Sequence, residues 1–106
     1  MLAAVSDRAV TVRDSLDSAD TAATLAAMEA CGVAVDGHLG DQPMVITGRG
    51  LRGLRPPPAL DCVNAGTLMR LVVGLLVGQR AEHVILDGDD SLRRRPMGRV
   101  ATPLRR

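Results

Sequence analysis

The fold is set by residues 61–78, which read DCVNAGTLMRLVVGLLVG. Residues 67–77 are almost wholly apolar apart from Arg70, so this run predicts a buried helix that ends at Gly78. A short turn of small and polar residues stands directly in front of it and ends at Gly66. The first amides of a helix lack intrahelical acceptors and carry the positive end of its dipole. The turn and the helix together therefore predict an anion-binding site.

Two interpretations of this turn are open from spacing alone. In the first, Gly66 lets a ligand approach the backbone, and Arg70 lies on the helix at i+3 from Thr67. In the second, Asn64 is the N-cap of the helix and Gly66 serves a tight turn, with no ligand involved.

A basic segment over residues 91–99 reads SLRRRPMGR. Proline disfavours helical geometry at the residue before it, so Arg95 is expected to be extended at the start of a helix from about Met97. Guanidinium groups bind carboxylate and phosphate oxygens through paired hydrogen bonds, so the cluster suits a substrate that carries both groups. A solvated basic surface is the alternative interpretation.

The rest of the chain predicts an α+β fold in the order β-α-β-β-α-β. Strands are expected over residues 9–14, 33–35, 44–47 and 82–86, a helix over 19–31 and an extended loop over 48–58. The strands at 33–35 and 44–47 are expected to form a hairpin around a turn at residues 36–43. Asp17 or Ser18 is expected to cap the first helix, and Gly32 to end it. The apolar stripe of that helix is predicted to consist of Ala22, Leu25, Ala26 and Glu29. Two helices on one face of a four-stranded sheet is the simplest arrangement of such a unit.

The amino-acid composition argues against several classes of protein. The chain has 106 residues, which suits one small domain, and it contains no Phe, Tyr or Trp. A net charge of +1 argues against a general polycation that binds nucleic acid or membrane surfaces. Cys31 and Cys62 lack the spacing of a zinc site or a disulfide framework, so both are expected to be reduced. Neither a signal peptide nor a membrane span is indicated, and a cytoplasmic location is expected.

Several segments of the sequence resemble those of the enolpyruvylshikimate-phosphate synthase family, both in their residues and in their order along the chain. The strongest match is the Asn-Ala-Gly-Thr-x-Met-Arg signature at residues 64–70, which follows LDC at 60–62. The other matching strings are LDSADT at 16–21, CGV at 31–33, GLL and GQ within 74–79, DGD at 87–89 and RPMGR at 95–99. The resemblance covers essentially the whole chain, but only about a quarter of the family's two-domain length.

The resemblance implies a fold and a set of site residues. Residues 1–106 would be part of the N-terminal domain of the family's inside-out α/β barrel, without the second domain. By resemblance, the backbone of Gly66 contacts phosphoenolpyruvate and Arg95 binds the charged groups of that substrate. Asn64 and Thr67 would line the pocket, and Arg70 would organise it.

The resemblance also implies a reaction of the shikimate pathway, which leads to chorismate and the aromatic amino acids. The family enzyme transfers the enolpyruvyl group of phosphoenolpyruvate to the 5-hydroxyl of shikimate 3-phosphate, and glyphosate is its competing anion. It is usually a monomer and uses no metal or cofactor. Its proton-transfer groups would lie before Met1 and in the second domain, so no catalytic residue is expected here and the chain alone is expected to be inactive. Val63 stands where the family usually has Gly or Ser.

Two other functions are alternatives. The enolpyruvyl transferase of peptidoglycan synthesis shares the fold, but its corresponding stretch reads differently. An RNA-binding module could use residues 93–95 to contact phosphates, although the lack of aromatic side chains and the low net charge argue against nucleic acid as a partner. His38 and His83 have no partner at motif spacing, and Asp89 and Asp90 are interpreted as turn formers, although a carboxylate pair permits acid-base chemistry.

Overall fold

The computed structural model describes residues 1–40 and 42–105; Asp41 and Arg106 lie outside the described residues. A 3-10 helix over Leu2–Val5 precedes the regular elements. The elements are β1 (Ala9–Val12), α1 (Ala19–Ala30), β2 (Ala34–Asp36), β3 (Met44–Thr47), β4 (Ala59–Asp61), α2 (Gly66–Val77), β5 (Ile85–Asp87), α3 (Asp90–Arg93) and α4 (Gly98–Leu104).

The first three strands form an antiparallel sheet in the order β1-β3-β2. Thr47 of β3 pairs with Ala9 on one side and with Ala34 on the other. The antiparallel pairing of β2 with β3 confirms the expected hairpin. The sequence could predict it, because the alternating segment at 33–35 and the apolar segment at 44–47 lie close together along the chain.

The strand that was expected as the fourth strand of this sheet, β5, lies in a second sheet. Strands β4 and β5 pair in parallel, with Ala59 opposite Ile85 and Asp61 opposite Asp87. The mixed class of fold is confirmed, but the described strands form sheets of three and two strands instead of one sheet of four. Strand β4 was not predicted, because it has only three residues directly after a proline run, and its partner lies far along the chain.

Helix α1 begins and ends where the sequence indicates. Ser18 is its N-cap: the Thr21 amide donates to the Ser18 hydroxyl at 3.2 Å, and the Ser18 amide donates to the Thr21 hydroxyl at 3.0 Å. Gly32 follows the helix with φ of +93°, as a helix stop requires.

The predicted apolar stripe of α1 is wrong. The buried residues of the helix are Ala23, Ala27 and Met28, whereas Ala22 and Ala26 are exposed. The predicted stripe ended on a glutamate, and the observed stripe contains no charge. Because alanine occurs on several faces of this helix, the sequence pattern hardly distinguishes the buried face from the exposed one.

Helix α2 starts at Gly66, one residue earlier than expected, and Gly78 is its C-cap. It contacts α1, and its Leu68 and Val72 are fully buried in the core. The other large, fully buried side chains are Leu92, Cys31 and Cys62, so the core is built without aromatic residues. No helix in the described part of the chain is long and apolar enough to cross a membrane.

Candidate anion-binding site

The site lies where the two parallel strands end. Strands β4 and β5 run in the same direction and in register, so the turns that follow them meet at one edge of the sheet. Backbone hydrogen bonds extend this pairing into the turns. The Cys62 amide donates to the Asp87 carbonyl at 2.7 Å, and the Asp89 amide donates to the Val63 carbonyl at 2.8 Å. The turn before α2 is therefore held against the turn before α3.

Val63 has an unusual backbone conformation in this turn. Its φ is +52°, in the left-handed region that side chains branched at Cβ rarely adopt. The Asp61 carboxylate supports the turn by accepting a hydrogen bond from the Val63 amide at 2.8 Å. Glycine adopts this conformation without the strain that valine incurs.

We expect Val63→Gly to stabilise the chain. Glycine removes the left-handed strain but adds freedom to the unfolded chain, so the net gain should be about 1 kcal/mol. Thermal unfolding followed by circular dichroism measures the change. Asp14→Gly is the matched control, because Asp14 has φ of +50° but aspartate tolerates that region, so the gain should be smaller. A lower melting temperature for Val63→Gly would show that the valine side chain stabilises the turn.

Two guanidinium groups converge above Gly66. A Cβ atom at Gly66 would lie 2.6 Å from Nη1 of Arg95 and 3.0 Å from Nη1 of Arg70. Arg70 is four residues along α2 from Gly66, and long helical side chains point back toward the N-terminus, which explains its reach. The φ of Gly66 is not positive, so its backbone conformation does not require glycine, and the close approach of the two guanidinium groups accounts for the missing side chain. The interpretation of Gly66 as a tight-turn residue agrees with the structure as well, because the Gly66 amide donates to the Asn64 carbonyl across a three-residue turn.

Asn64 is not the cap of α2. The N-cap is Ala65, without a side-chain hydrogen bond. The Asn64 side chain accepts a hydrogen bond from Nη2 of Arg95 at 2.9 Å and donates to both carboxylate oxygens of Asp89, at 3.0 and 2.8 Å. The alternative interpretation of Asn64 as an N-cap is thus wrong, and the structure brings the side chains of Asn64 and Arg95 together.

The start of α2 has amides available for an anion. The Gly66 amide donates to the Asn64 carbonyl at 3.1 Å, and the Met69 amide to the Ala65 carbonyl at 3.0 Å. Among residues 1–40 and 42–105, the amides of Thr67 and Leu68 have no backbone acceptor outside the helix, and their positions in its first turn leave them none within it. Thr67 is exposed beside Gly66.

Arg70 and Arg95 have no carboxylate partner in the part of the chain that the structure describes. The ion pairs there join Arg8 to Asp7, and Arg93 to Asp87 and Asp90. Both guanidinium-bearing residues of the site are half-buried. Two like charges that lie close together and lack a counter-ion favour the binding of an anion between them.

The neighbouring Arg93, unlike Arg70 and Arg95, is paired with a carboxylate. Its Nε and Nη2 donate to the two carboxylate oxygens of Asp87 at 2.8 and 2.7 Å. The hydrogen bonds from Arg93, with help from the Gly88 amide, lower the pKa of Asp87 to about 2. The pKa of Asp89 is also lowered, chiefly by the hydrogen bond from the Leu92 amide and then by the one from Asn64. Both carboxylates therefore stay ionised at neutral pH.

Sequence reasoning missed the roles of Asp87 and Asp89. Asp89 is predicted to be a turn former but caps α3, and Asp87 lies one residue beyond the strand expected over residues 82–86 and ends β5. The cap could have been found, since aspartate stands three residues before the buried Leu92. The contact of Asp89 with Asn64 spans 25 residues and depends on the parallel strands, which left no local signal.

A second basic region lies away from this site. Arg49, Arg52, Arg55 and Arg80 line a cavity of about 840 Å³ next to the loop that follows β3. The loop is tied to the C-terminal end of α2, where the Leu54 amide donates to the Gln79 side chain at 3.1 Å. Since α2 has 12 residues, the two regions lie at opposite ends of the helix, about 18 Å apart. No group of three His, Cys, Asp or Glu residues in the described ranges could hold a metal ion.

Comparison with known proteins identifies the family. The family model of EPSP synthase (3-phosphoshikimate 1-carboxyvinyltransferase) matches residues 1–106. Relatives named 3-phosphoshikimate 1-carboxyvinyltransferase include one from Pelobacter propionicus, 50% identical over 100% of this chain and 24% of its own length. One from Synechococcus sp. (strain RCC307) is 44% identical over 98% of this chain and 24% of its own length.

A solved structure agrees with these relatives. EPSP synthase from Acinetobacter baumannii superposes with a TM-score of 0.89 at 38% identity, over 97% of this chain and 23% of that one. The chain thus spans about a quarter of the length of the proteins it matches. Because the family model extends over the whole chain, the resemblance in the sequence is confirmed, and the chain belongs to the EPSP synthase family.

Proposed function

We propose that this chain supplies the phosphoenolpyruvate-binding part of an enzyme that transfers an enolpyruvyl group to the 5-hydroxyl of shikimate 3-phosphate. One observation carries the proposal: the guanidinium groups of Arg70 and Arg95 converge over Gly66 at the start of α2. Phosphoenolpyruvate carries a phosphate and a carboxylate, and guanidinium groups bind both through paired hydrogen bonds. Membership of the family supports this choice of substrate over other anions.

The residues of the site divide the work of binding. Arg95 contacts the substrate directly, and Arg70 orders the site from the next turn of the helix. Gly66 leaves room for the anion, while Asn64 and Thr67 line the pocket. When the tetrahedral adduct expels phosphate, fixed donors stabilise the charge that the leaving group carries away.

We assign the proton transfers to groups outside this chain. In the reaction the methylene carbon of phosphoenolpyruvate gains a proton and the 5-hydroxyl of shikimate 3-phosphate loses one. Of the carboxylates next to the site, Asp87 and Asp89 have lowered pKa values and are engaged by Arg93 and Asn64. Asp61 accepts a hydrogen bond from the Val63 amide. Neither Asp87 nor Asp89 suits a general acid at neutral pH.

The remaining assignments follow from the same proposal. We assign residues 1–106 to the N-terminal domain of a monomeric enzyme. We also propose a cytoplasmic location, which the free, buried thiols of Cys31 and Cys62 support. Burial raises the pKa of both thiols, so they are poor nucleophiles.

A chimeric enzyme tests the proposal. In it, this chain replaces the matching 24% of the Pelobacter propionicus relative, with which it is 50% identical. We expect the chimeric enzyme to release phosphate from phosphoenolpyruvate only when shikimate 3-phosphate is present. The purified 106-residue chain alone should show no turnover, because it contributes no proton-transfer group.

The controls separate failure to fold from failure to bind. Circular dichroism and gel filtration establish that the chimeric enzyme is folded. A folded chimeric enzyme that does not bind phosphoenolpyruvate would contradict the proposal. Salt-sensitive binding of a single-stranded oligonucleotide by the chain would instead support an RNA-binding function. The pairing of Arg93 with Asp87 argues against that outcome, since it engages one arginine of the basic run.

A further inference from the structure

A series of hydrogen bonds connects the start of α3 with Arg95. The Leu92 amide donates to Oδ1 of Asp89 at 2.8 Å. The Asn64 side-chain amide donates to both oxygens of Asp89, and Nη2 of Arg95 donates to Oδ1 of Asn64 at 2.9 Å. All the hydrogen bonds in the series point toward the Asp89 carboxylate: Arg95 donates to Asn64, and Asn64 and the Leu92 amide donate to Asp89.

The chemistry of the three side chains fixes how they face one another. An ionised carboxylate only accepts hydrogen bonds and a guanidinium only donates them, whereas a carboxamide does both. Asn64 can therefore satisfy Asp89 and Arg95 together in only one orientation of its amide. We propose that Asp89 is a positioning residue, which sets the orientation of Asn64 and thereby holds Arg95 over Gly66. This inference rests on the proposed function, in which Arg95 binds phosphoenolpyruvate.

Asp89 is suited to this role because the backbone holds it in place. Its own amide donates to the Val63 carbonyl at 2.8 Å, and its side chain caps α3. The cap is anchored in turn by Leu92, which is 1% exposed. Gly88 has no room for a side chain, since a Cβ atom there would collide with Leu92 and the Val63 carbonyl. The side chains of Asn64 and Arg95, by contrast, make no hydrogen bond to the backbone of the described residues.

Helix capping alone does not account for a carboxylate at this position. Capping uses Oδ1, which accepts from the Leu92 amide at 2.8 Å and also from Asn64 at 3.0 Å, whereas Oδ2 accepts the shorter bond from Asn64, at 2.8 Å. Asparagine caps helices as well as aspartate does. In Asp89→Asn, however, the cap keeps an oxygen at the Oδ1 position, so the new NH2 group takes the place of Oδ2 and faces the Asn64 donor. Asn64 then has to draw back or turn over, and on turning over it would present its NH2 group to Arg95.

The variant Asp89→Asn in the chimeric enzyme tests this inference. We expect the KM for phosphoenolpyruvate to rise about fivefold, while the KM for shikimate 3-phosphate and the melting temperature stay unchanged. Asp90→Asn is the matched control, because Asp90 is the adjoining carboxylate and, among the described residues, forms an ion pair only with Arg93, at 3.7 Å. It should leave both KM values unchanged.

A second variant tests the donor order directly. In the double variant Asp89→Asn with Asn64→Asp, the amide at position 89 donates to the carboxylate at position 64, which accepts from Arg95. We expect this exchange to restore most of the affinity for phosphoenolpyruvate that the single variant loses.

Three outcomes would overturn the inference. The first is an equal effect of Asp89→Asn and Asp90→Asn on the KM for phosphoenolpyruvate. The second is a rise in both KM values with a lower melting temperature, which would show a purely structural cap. The third is no recovery in the double variant. Failure of the proposed function is recognised separately, since the unsubstituted chimeric enzyme would then not bind phosphoenolpyruvate.

Discussion

Replacing Arg95 by lysine should lower kcat/KM of the chimeric enzyme for phosphoenolpyruvate at least tenfold, or about 1.4 kcal/mol of transition-state stabilisation. One nitrogen of its guanidinium, Nη2, is held by Asn64, while Nη1 points over Gly66. The planar fork lets one side chain bind Asn64 and the substrate together. Lysine keeps the charge but has a single nitrogen, so it cannot make both contacts in the same geometry.

The neighbouring arginines provide the controls. Arg93 binds Asp87 with two nitrogens and contacts Asp90 with the third, so Arg93→Lys should reduce stability more than it reduces substrate affinity. Arg94 is exposed, and Arg94→Lys should leave the kinetics unchanged. Steady-state kinetics and thermal unfolding of the three variants measure both quantities. Equal losses of kcat/KM in all three would indicate a diffuse basic surface and contradict a specific site.

The elements that the sequence predicted well are those with local signals. The caps of α1 at Ser18 and Gly32, and the end of α2 at Gly78, depend on residues within one turn of the helix. The hairpin of β2 and β3 depends on an alternating segment and an apolar one that are close in the chain. Such patterns constrain the backbone directly, so they can be recognised without knowledge of the rest of the fold.

The missed features depend on contacts between distant parts of the chain. Strand β4 has three residues, and its partner β5 lies beyond the whole of α2. Counting apolar segments therefore led to one sheet of four strands. The prediction of the buried face of α1 was wrong for a related reason. Its alanines do not distinguish one face of the helix from another, and the contacts with α2 and β4 decide which face is buried.

The candidate site shows the same division. Gly66 and Arg95 were predicted from strings that resemble a family, and the structure brings both together with Arg70. The role of Asn64 could not be derived from the sequence, because asparagine before a helix is usually a cap. Its actual partners are 25 and 31 residues away. Only the register of β4 with β5 brings these residues to the same edge.

Gly66→Ala should weaken binding of phosphoenolpyruvate to the chimeric enzyme by roughly tenfold to a hundredfold while the fold stays intact. The added methyl group would lie 2.6 Å from Nη1 of Arg95 and 3.0 Å from Nη1 of Arg70. Both atoms are at the ends of flexible side chains, so they can move aside without disturbing the backbone. The cost then falls on Arg95, which would bind the substrate, and on Arg70, which would order the site, so binding of glyphosate should be weakened as well.

Gly74→Ala is the matched control for this substitution. Gly74 lies in the same helix, and a Cβ atom there would meet nothing within 4 Å. Alanine favours helix over glycine by about 1 kcal/mol, so this control should raise the melting temperature and leave binding unchanged. Isothermal titration with phosphoenolpyruvate and thermal unfolding compare the two variants. If Gly66→Ala bound phosphoenolpyruvate and glyphosate as tightly as Gly74→Ala, neither anion could occupy the space between Arg70 and Arg95, and the binding site would have to lie elsewhere.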